Sequence, residues 1–336
     1  MGMLPLSPPV HDTLAWQAGP ISPNTVQAMH VLFACPHNNP ADWLPGLAEH
    51  LPDCKISVWD PSGPPSGADV ALVWKPPAAL FEHETKLKAL FNLGAGVDAL
   101  LQMDLPPHIQ IVRLEDAGMA VQMAEYALYA LLRVSRGFGR YERDQAETRW
   151  APMPGTRRAQ WPVGVLGLGE MGGRVAQAIA AFDYPVIGWS RSPRRMQGIQ
   201  TYAGTGQLAG FLRRTRVLVN VLPLTQETAG ILNRQTLSQL MPGAHIINMG
   251  RGGHVNEPDL LALLDEGKIE GATLDVFETE PLPSGNPLWK HPRVHVTPHI
   301  AASTLREEAI AQIAAKVHRL ARGEQITGVV TPQRGY

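Results

Sequence analysis

The chain alternates between short apolar runs and longer stretches of mixed polarity. His30-Val31-Leu32-Phe33-Ala34, Lys55-Ile56-Ser57-Val58-Trp59 and Val70-Ala71-Leu72-Val73-Trp74 are each five residues long and rich in β-branched or aromatic residues, so they predict buried strands. A helical stretch, Ala41 to Leu51, lies between the first two. Lys86–Asn92 and Ile109–Leu114 add further helix or strand. From Met119 to Val134 the period changes. Met119, Met123, Tyr126, Ala127, Ala130, Leu131 and Val134 repeat at helical spacing over more than four turns. A polar stretch follows, Gly137 to Thr156, with Arg140, Arg143, Arg149 and Trp150. A second alternation starts at Trp161, with strand candidates Val163–Leu166, Val186–Trp189, Val217–Leu222, His245–Asn248, Ala272–Val276 and Val294–Val296. Asn256 can cap the helix that follows it, Pro258 suits the first turn and Gly267 can end it. The last predicted helix is Thr304 to Arg322. Strands alternating with helices define an α/β protein with parallel sheets.

The 336 residues suffice for two domains. With 29 basic and 30 acidic residues there is no general footprint for nucleic acid or an acidic membrane surface. No apolar run is long enough to span a bilayer. Residues 1–28, rich in Pro, Ser and Gly, are expected to form a loose, disordered extension and do not read as a secretory signal. Two cysteines, Cys35 and Cys54, imply no disulfide framework and fit a reducing compartment, the cytoplasm.

The chemistry concentrates in a few segments. Gly167-Leu168-Gly169-Glu170-Met171-Gly172 follows an apolar run and opens a helix-like stretch, Arg174–Phe182, which is the context a dinucleotide signature requires. Gly167 permits the turn, Gly169 lets the backbone approach a pyrophosphate, and Gly172 allows close helix packing. A glycine-rich turn of an ordinary α/β protein is the plainer alternative. About twenty residues on, where an NAD site carries an acid, the chain reads Ser190-Arg191-Ser192-Pro193-Arg194-Arg195. Hydroxyls and guanidinium groups there favour the 2′-phosphate of NADPH over NADH; a solvated basic loop is the alternative. Downstream, Arg251 lies between glycines, Glu280 precedes Pro281, and His299 follows Pro298. A guanidinium can grip a carboxylate with two hydrogen bonds, and an imidazole can exchange a proton near neutral pH, oriented by a carboxylate. His291, His295 and His299 have four-residue spacing, but Pro292 and Pro298 disfavour a helical metal site, and no metal is expected.

The order of these segments and their flanking words resemble the D-isomer-specific 2-hydroxyacid dehydrogenase family and, within it, the glyoxylate/hydroxypyruvate reductase A type. The resemblance covers nearly everything after residue 28; Val163 to Ala302 carries its specific words, and Trp74-Lys75-Pro76-Pro77 and Leu93–Asp98 carry it in the amino half. It implies two domains, Rossmann-like and flavodoxin-like, with the active site in the cleft between them. Residues 29–116 and 303–336 would form the substrate-binding domain. Residues 117–302 would form the dinucleotide-binding domain, with a dimerisation helix and arm over 117–156 that make a homodimer. It implies Arg251, Glu280 and His299 as the catalytic set. Further cofactor contacts would come from Leu222 and Pro223, from Met249 and Gly250, and from Asp275, which would receive the nicotinamide amide or else be a strand-end residue. The loop Gly94, Ala95, Gly96 would meet the substrate carboxylate together with Arg251. Trp74 would either restrict substrate size or belong to the core, and Trp150 would reach the partner's pocket. The activity implied is NADPH-dependent reduction of glyoxylate and hydroxypyruvate. A larger 2-oxo acid such as phenylpyruvate, or a nucleotide-sensing corepressor-like role on the same fold, are the alternatives.

Overall fold

The alternating pattern is realised as two parallel sheets, each in its own compact unit. The computed structural model describes residues 28–331, so the extension expected over residues 1–28 lies outside the described residues except for its last position. The first unit comprises the described part of Met1–Phe91, with Leu105–Val112 and Ile310–Val329. Its elements are β1 (His30–Ala34), α1 (Leu44–His50), β2 (Lys55–Val58), β3 (Val70–Val73), α2 (Ala79–His83) and β4 (Ala89–Asn92), the last continuing into a loop and α3 (Asp98–Leu101) before β5 (Gln110–Val112). The strand order is β2-β1-β3-β4-β5, the doubly wound flavodoxin-like order. β1 pairs in parallel with β2 and with β3, in register Val31↔Ile56 and Val31↔Val70. β1, β3 and β4 are buried along their whole length, which is why they read as unbroken apolar runs. The helix expected over Ala41–Leu51 is split: Pro40–Asp42 is a 3-10 turn and α1 begins at Leu44. Pro45 has no N–H to donate and so sits in the first turn of a new helix.

The second unit comprises Asn92–Asp104, Arg113–Ala309 and the described part of Val330–Tyr336. It opens with α4 (Met119–Ser135) and α5 (Phe138–Ala146). There follow β6 (Val163–Leu166), α6 (Glu170–Ala180), β7 (Val186–Ser190), β8 (Gln200–Ala203), α7 (Thr205–Leu212), β9 (Val217–Asn220), α8 (Arg234–Leu237), β10 (Ala244–Asn248), α9 (Glu257–Asp265), β11 (Ile269–Leu274) and β12 (Val294–Val296). The order β12-β11-β10-β9-β6-β7-β8 contains the Rossmann arrangement, whose direction reverses between β6 and β9. The strands divide their side chains by alternation. Val163, Val165, Val217, Val219 and Ile247 pack with α4 and α6 on one face. Leu166, Leu218 and Ile246 pack with α7 and α9 on the other. Each fully buried Leu, Ile or Val contributes about 1.5–3 kcal/mol.

Seven strands form where six were expected. β8 is a half-exposed edge strand, Gln-Thr-Tyr-Ala, without the apolar run that marks the others. β11 is displaced from the expected Ala272–Val276 to Ile269–Leu274, because the backbone turns away at Asp275. α9 has the anticipated ends: Asn256 Oδ1 accepts the Asp259 N–H at 3.0 Å, and Gly267 follows with φ of 69°. The final helix, α10 (Arg306–Ala321), is slightly shorter than expected. Among the described residues no helix is long and apolar enough to cross a membrane.

Candidate active site

The glycine signature lies where the strand order reverses, the place at which such sheets bind ligands. Gly167 follows β6 with φ of 96°, a conformation that L side chains rarely adopt. Gly169 is the N-cap of α6, exposed, and a Cβ there would meet no heavy atom within 4 Å. The eleven-residue α6 therefore presents its first N–H groups and the positive end of its dipole to open space, which suits a pyrophosphate. Glu170 occupies its first turn, Met171 is half-buried and Gly172 is buried. Leu168 and Met249 pack their side chains into the core with α4 and α6, and Leu222 packs on the opposite face. What these three can offer a cofactor is backbone, not side chain.

At the end of β7, Ser190 is buried and its hydroxyl donates to the Ser192 carbonyl at 2.8 Å. Arg191, Ser192 and Arg194 are exposed. Arg191 lies 3.8 Å from the carboxylate of Glu227, a residue from the turn after β9 that sequence reading left unassigned. No carboxylate occupies the strand end itself, so the residues present fit a 2′-phosphorylated dinucleotide.

The loop after β4 is tied inward by Asn92, whose amide donates to the carbonyls of Gly94 (3.0 Å) and Gly96 (2.8 Å). Ala95 between them is partly exposed. Arg251 lies directly on this loop. A Cβ on Gly96 would stand 1.5 Å from Arg251 Nη2, so only glycine leaves room for the guanidinium. Arg251 Nε donates to Asp98 Oδ1 at 3.1 Å, and Nη1 donates to the Gly250 carbonyl at 2.8 Å. Asp98 was not singled out from sequence, since nothing local marks it as the partner of an arginine 153 positions away.

The Arg251 turn also touches the segment that carries Glu280. A Cβ on Gly252 would fall 1.8 Å from the Phe277 carbonyl carbon and 2.2 Å from the Glu278 nitrogen. Glu280 is held at both oxygens. Oε1 accepts the Phe277 N–H at 3.0 Å, and Oε2 lies 2.7 Å from His299 Nδ1. A carboxylate is an acceptor only, so Nδ1–H is the donor and Nε2 is left as the ring atom that can exchange a proton. The His299 side chain is 46% exposed and its backbone is left-handed, with φ of 56°. That conformation is uncommon outside glycine and clusters at functional sites.

Asp275 maintains it. The carboxylate, fully buried, accepts from Thr297 Oγ1 (2.6 Å) and Ile300 N–H (2.9 Å) at Oδ1 and from Ala301 N–H (2.8 Å) at Oδ2. Its backbone carbonyl accepts the His299 N–H at 2.8 Å. The resemblance assigns Asp275 to the nicotinamide amide; the geometry gives its side chain the task of clamping residues 297–301 around His299. His291 instead lies against Asp265 and His295 against Tyr129, so the three evenly spaced histidines face three different partners. In the first unit, Trp74 is half-buried just beyond the carboxyl end of β3.

Fold and site define a dinucleotide-binding α/β protein with a cation and a carboxylate–imidazole pair beside the strand ends. The family model described as D-isomer specific 2-hydroxyacid dehydrogenase, NAD binding domain, matches residues 128–301. The glyoxylate/hydroxypyruvate reductase A of Serratia proteamaculans is 46% identical over 314 residues, which span 92% of this chain and 100% of that protein. The protein of the same name from Escherichia fergusonii is 45% identical with the same coverage. A D-isomer specific 2-hydroxyacid dehydrogenase from Xanthobacter autotrophicus, solved with NADPH and MES, matches with a TM-score of 0.88 at 39% identity, covering 92% of this chain and 100% of that one. The NADPH-dependent glyoxylate/hydroxypyruvate reductase from Sinorhizobium meliloti, solved with NADP and sulfate, matches at 0.86 and 35% identity with equal coverage. The chain belongs to the D-isomer specific 2-hydroxyacid dehydrogenase family of NAD(P)-binding oxidoreductases.

Proposed function

We propose that this enzyme reduces small 2-oxo acids, glyoxylate to glycolate and hydroxypyruvate to glycerate, with NADPH preferred over NADH. The single observation that carries the reading is the fixed pair Glu280–His299, which occupies Nδ1 and leaves Nε2 as the ring nitrogen for proton exchange, on a segment that abuts the Arg251 turn. NADPH, when bound, supplies the hydride. Arg251 binds the substrate carboxylate and polarises the ketone oxygen; its Nε is anchored on Asp98, so the guanidinium is oriented before substrate arrives. The loop Gly94–Gly96 adds backbone N–H groups, its carbonyls being turned towards Asn92. His299 gives a proton from Nε2 to the ketone oxygen in reduction and takes it back in oxidation, and Glu280 fixes the ring and stabilises its cationic form. The turn at Gly167–Gly172 holds the pyrophosphate, and Ser190, Arg191, Ser192 and Arg194 hold the 2′-phosphate. The names of the Serratia and Sinorhizobium relatives support the substrate class, and the NADPH and NADP bound in the matching structures support the cofactor.

The enzyme acts as a homodimer in this reading. α4 buries one face within its unit and leaves Val121 and Tyr129 more than 40% exposed; the arm beyond it exposes Phe138 and Trp150, the latter by 96%. Such a surface suits a second copy. The free thiols of Cys35 and Cys54 suit the cytoplasm. The test is a steady-state panel of glyoxylate, hydroxypyruvate and phenylpyruvate with both nucleotides. The largest kcat/KM is expected for glyoxylate or hydroxypyruvate with NADPH; a preference for phenylpyruvate, or no turnover of any of the three, refutes the assignment.

A further inference from the structure

Three side chains without a part in that chemistry, Asn220, Asn248 and His254, are completely buried. They lie at the ends of β9 and β10 and in the 3-10 turn Gly252–His254. Asn220 Nδ2 donates to Asn248 Oδ1 at 2.9 Å and to His254 Nδ1 at 3.0 Å, while Asn220 Oδ1 accepts the Leu222 N–H at 3.3 Å. His254 Nδ1 also accepts the backbone N–H of Arg251 at 3.1 Å, and Nε2 lies 3.2 Å from the Pro223 carbonyl oxygen. Only the tautomer protonated at Nε2 satisfies all of these contacts. Asn248 Nδ2 completes the set by donating to the Arg251 carbonyl at 3.1 Å. Both backbone polar groups of Arg251 therefore end on this network. One rigid ring, that of His254, joins the Arg251 N–H to the Pro223 carbonyl. Burial lowers the pKa of His254, which keeps the ring neutral and its Nδ1 an acceptor.

We propose that His254 is a positioning residue that couples the Leu222–Pro223 turn to Arg251, so that a dinucleotide seated on that turn tightens the grip of Arg251 on the substrate carboxylate. The inference rests on the reading of Arg251 and of this turn given above. Buried polar groups without partners are costly, so a displaced Pro223 carbonyl moves the ring, and the ring moves the Arg251 backbone.

Two substitutions separate the two ends of the ring. In His254→Asn the side-chain oxygen replaces Nδ1 and the contact to Pro223 is lost. In His254→Gln the amide reaches Pro223 and the acceptor for the Arg251 N–H is lost. Oxamate, an unreactive mimic of a 2-oxo acid, is titrated calorimetrically into each protein with and without saturating NADPH. The unsubstituted protein is expected to bind oxamate about tenfold tighter with NADPH, and His254→Asn is expected to lose most of that factor. His254→Gln is expected to raise the KM for glyoxylate about tenfold or more while NADPH affinity stays within about twofold. A merely structural role would weaken NADPH binding and lower the melting temperature while leaving the ratio of the two oxamate affinities intact; that result overturns the proposal. So does a parent-like KM in both variants. Arg251→Ala with a parent-like KM would instead overturn the reading of the site on which this coupling depends.

Discussion

Adding one carbon at Gly96 tests the site with little disturbance elsewhere. Gly96 does not have a left-handed backbone, so alanine is compatible with its conformation. The new Cβ would lie 1.5 Å from Arg251 Nη2, 2.8 Å from Cζ and 3.1 Å from Asp98 Oδ1. Non-bonded carbon contacts sit near 3.5 Å, so the guanidinium must retreat by about 2 Å. It is the far end of a flexible side chain, which makes the retreat cheap for the fold. The ion pair with Asp98 joins side chains that are 29% and 34% exposed, so it is worth about 0–1 kcal/mol after solvent screening. A strained rotamer adds about 0.5–1.5 kcal/mol. Activity should suffer far more, because a misplacement of about 1 Å in a positioned group can cost about a hundredfold. Gly96→Ala is therefore expected to lower kcat/KM for glyoxylate by about 10²–10⁴, mainly through KM, with the melting temperature and NADPH affinity nearly unchanged. The assay is initial-rate loss of NADPH absorbance across glyoxylate concentrations, with NADPH titration and thermal melting on the same samples. A kcat/KM within about threefold of the parent would show that Arg251, as placed on Gly96, does not grip the substrate.

Other expectations follow from the same geometry. Ser190→Asp combined with Arg191→Ala should move preference towards NADH, since each charge-assisted contact to a 2′-phosphate is worth about 1.5–3 kcal/mol; equal efficiency of both nucleotides in the unsubstituted protein would argue against a phosphate site there. Glu280→Gln keeps a hydrogen-bonding oxygen but removes its charge, so kcat for reduction should fall by about tenfold or more with NADPH affinity retained; a parent-like kcat would leave Glu280 a purely structural residue. Trp150→Ala should shift sedimentation towards monomer at low concentration, and an unsubstituted chain that is monomeric and fully active would remove the dimer. His245 is buried, and burial, followed by Arg133 and His295, pushes its pKa down to about 3. Above about pH 6.5 the ring is neutral folded or unfolded; below it the unfolded chain takes a proton that the folded chain refuses, so stability falls by about 1.4 kcal/mol per pH unit, or about 2 kcal/mol by pH 5. His245→Gln should flatten that slope in urea titrations at pH 7 and pH 5, and an unchanged slope would assign the acid sensitivity to other groups.

What could be read in the sequence was local. β6 has the anticipated bounds because it is a short buried apolar run whose neighbours break the pattern, and β12 has them as a brief Val-His-Val alternation. The capped start of α9 and the helical period of α4 are likewise properties of consecutive residues. β8 escaped because an edge strand needs no continuous apolar run. The interrupted course of the chain between the two units came only from family resemblance, since periodicity reports which face of an element is buried and not which element buries it.

The site shows the same division at the level of single residues. Arg251, Glu280 and His299, the residues proposed for catalysis, stand out in the sequence because chemically distinctive side chains lie in words built of glycine and proline. Their partners do not stand out as such. Asp98 and Asp275 act on groups that the fold brings to them from 153 and 26 positions away, and Asp275 stands out in the sequence only for the nicotinamide amide; Asn92 and His254 act on backbone two to four residues away, where no distinctive word marks them. The left-handed turn at His299 is the clearest case. Nothing in Thr-Pro-His-Ile-Ala requires a φ of 56°; the conformation persists because the buried Asp275, one strand away, accepts hydrogen bonds at both carboxylate oxygens and at its carbonyl from residues 297–301. An imidazole with the proton-transfer role proposed for His299 must be held by more than its own side-chain partner. Glu280 sets the rotation of the ring, while Asp275 sets the backbone from which the ring projects. Loss of either should therefore disturb proton transfer by a different route. Glu280→Gln changes the charge beside the ring, whereas Asp275→Asn keeps an acceptor on one side only and leaves an N–H donor facing a backbone N–H, which displaces the ring itself.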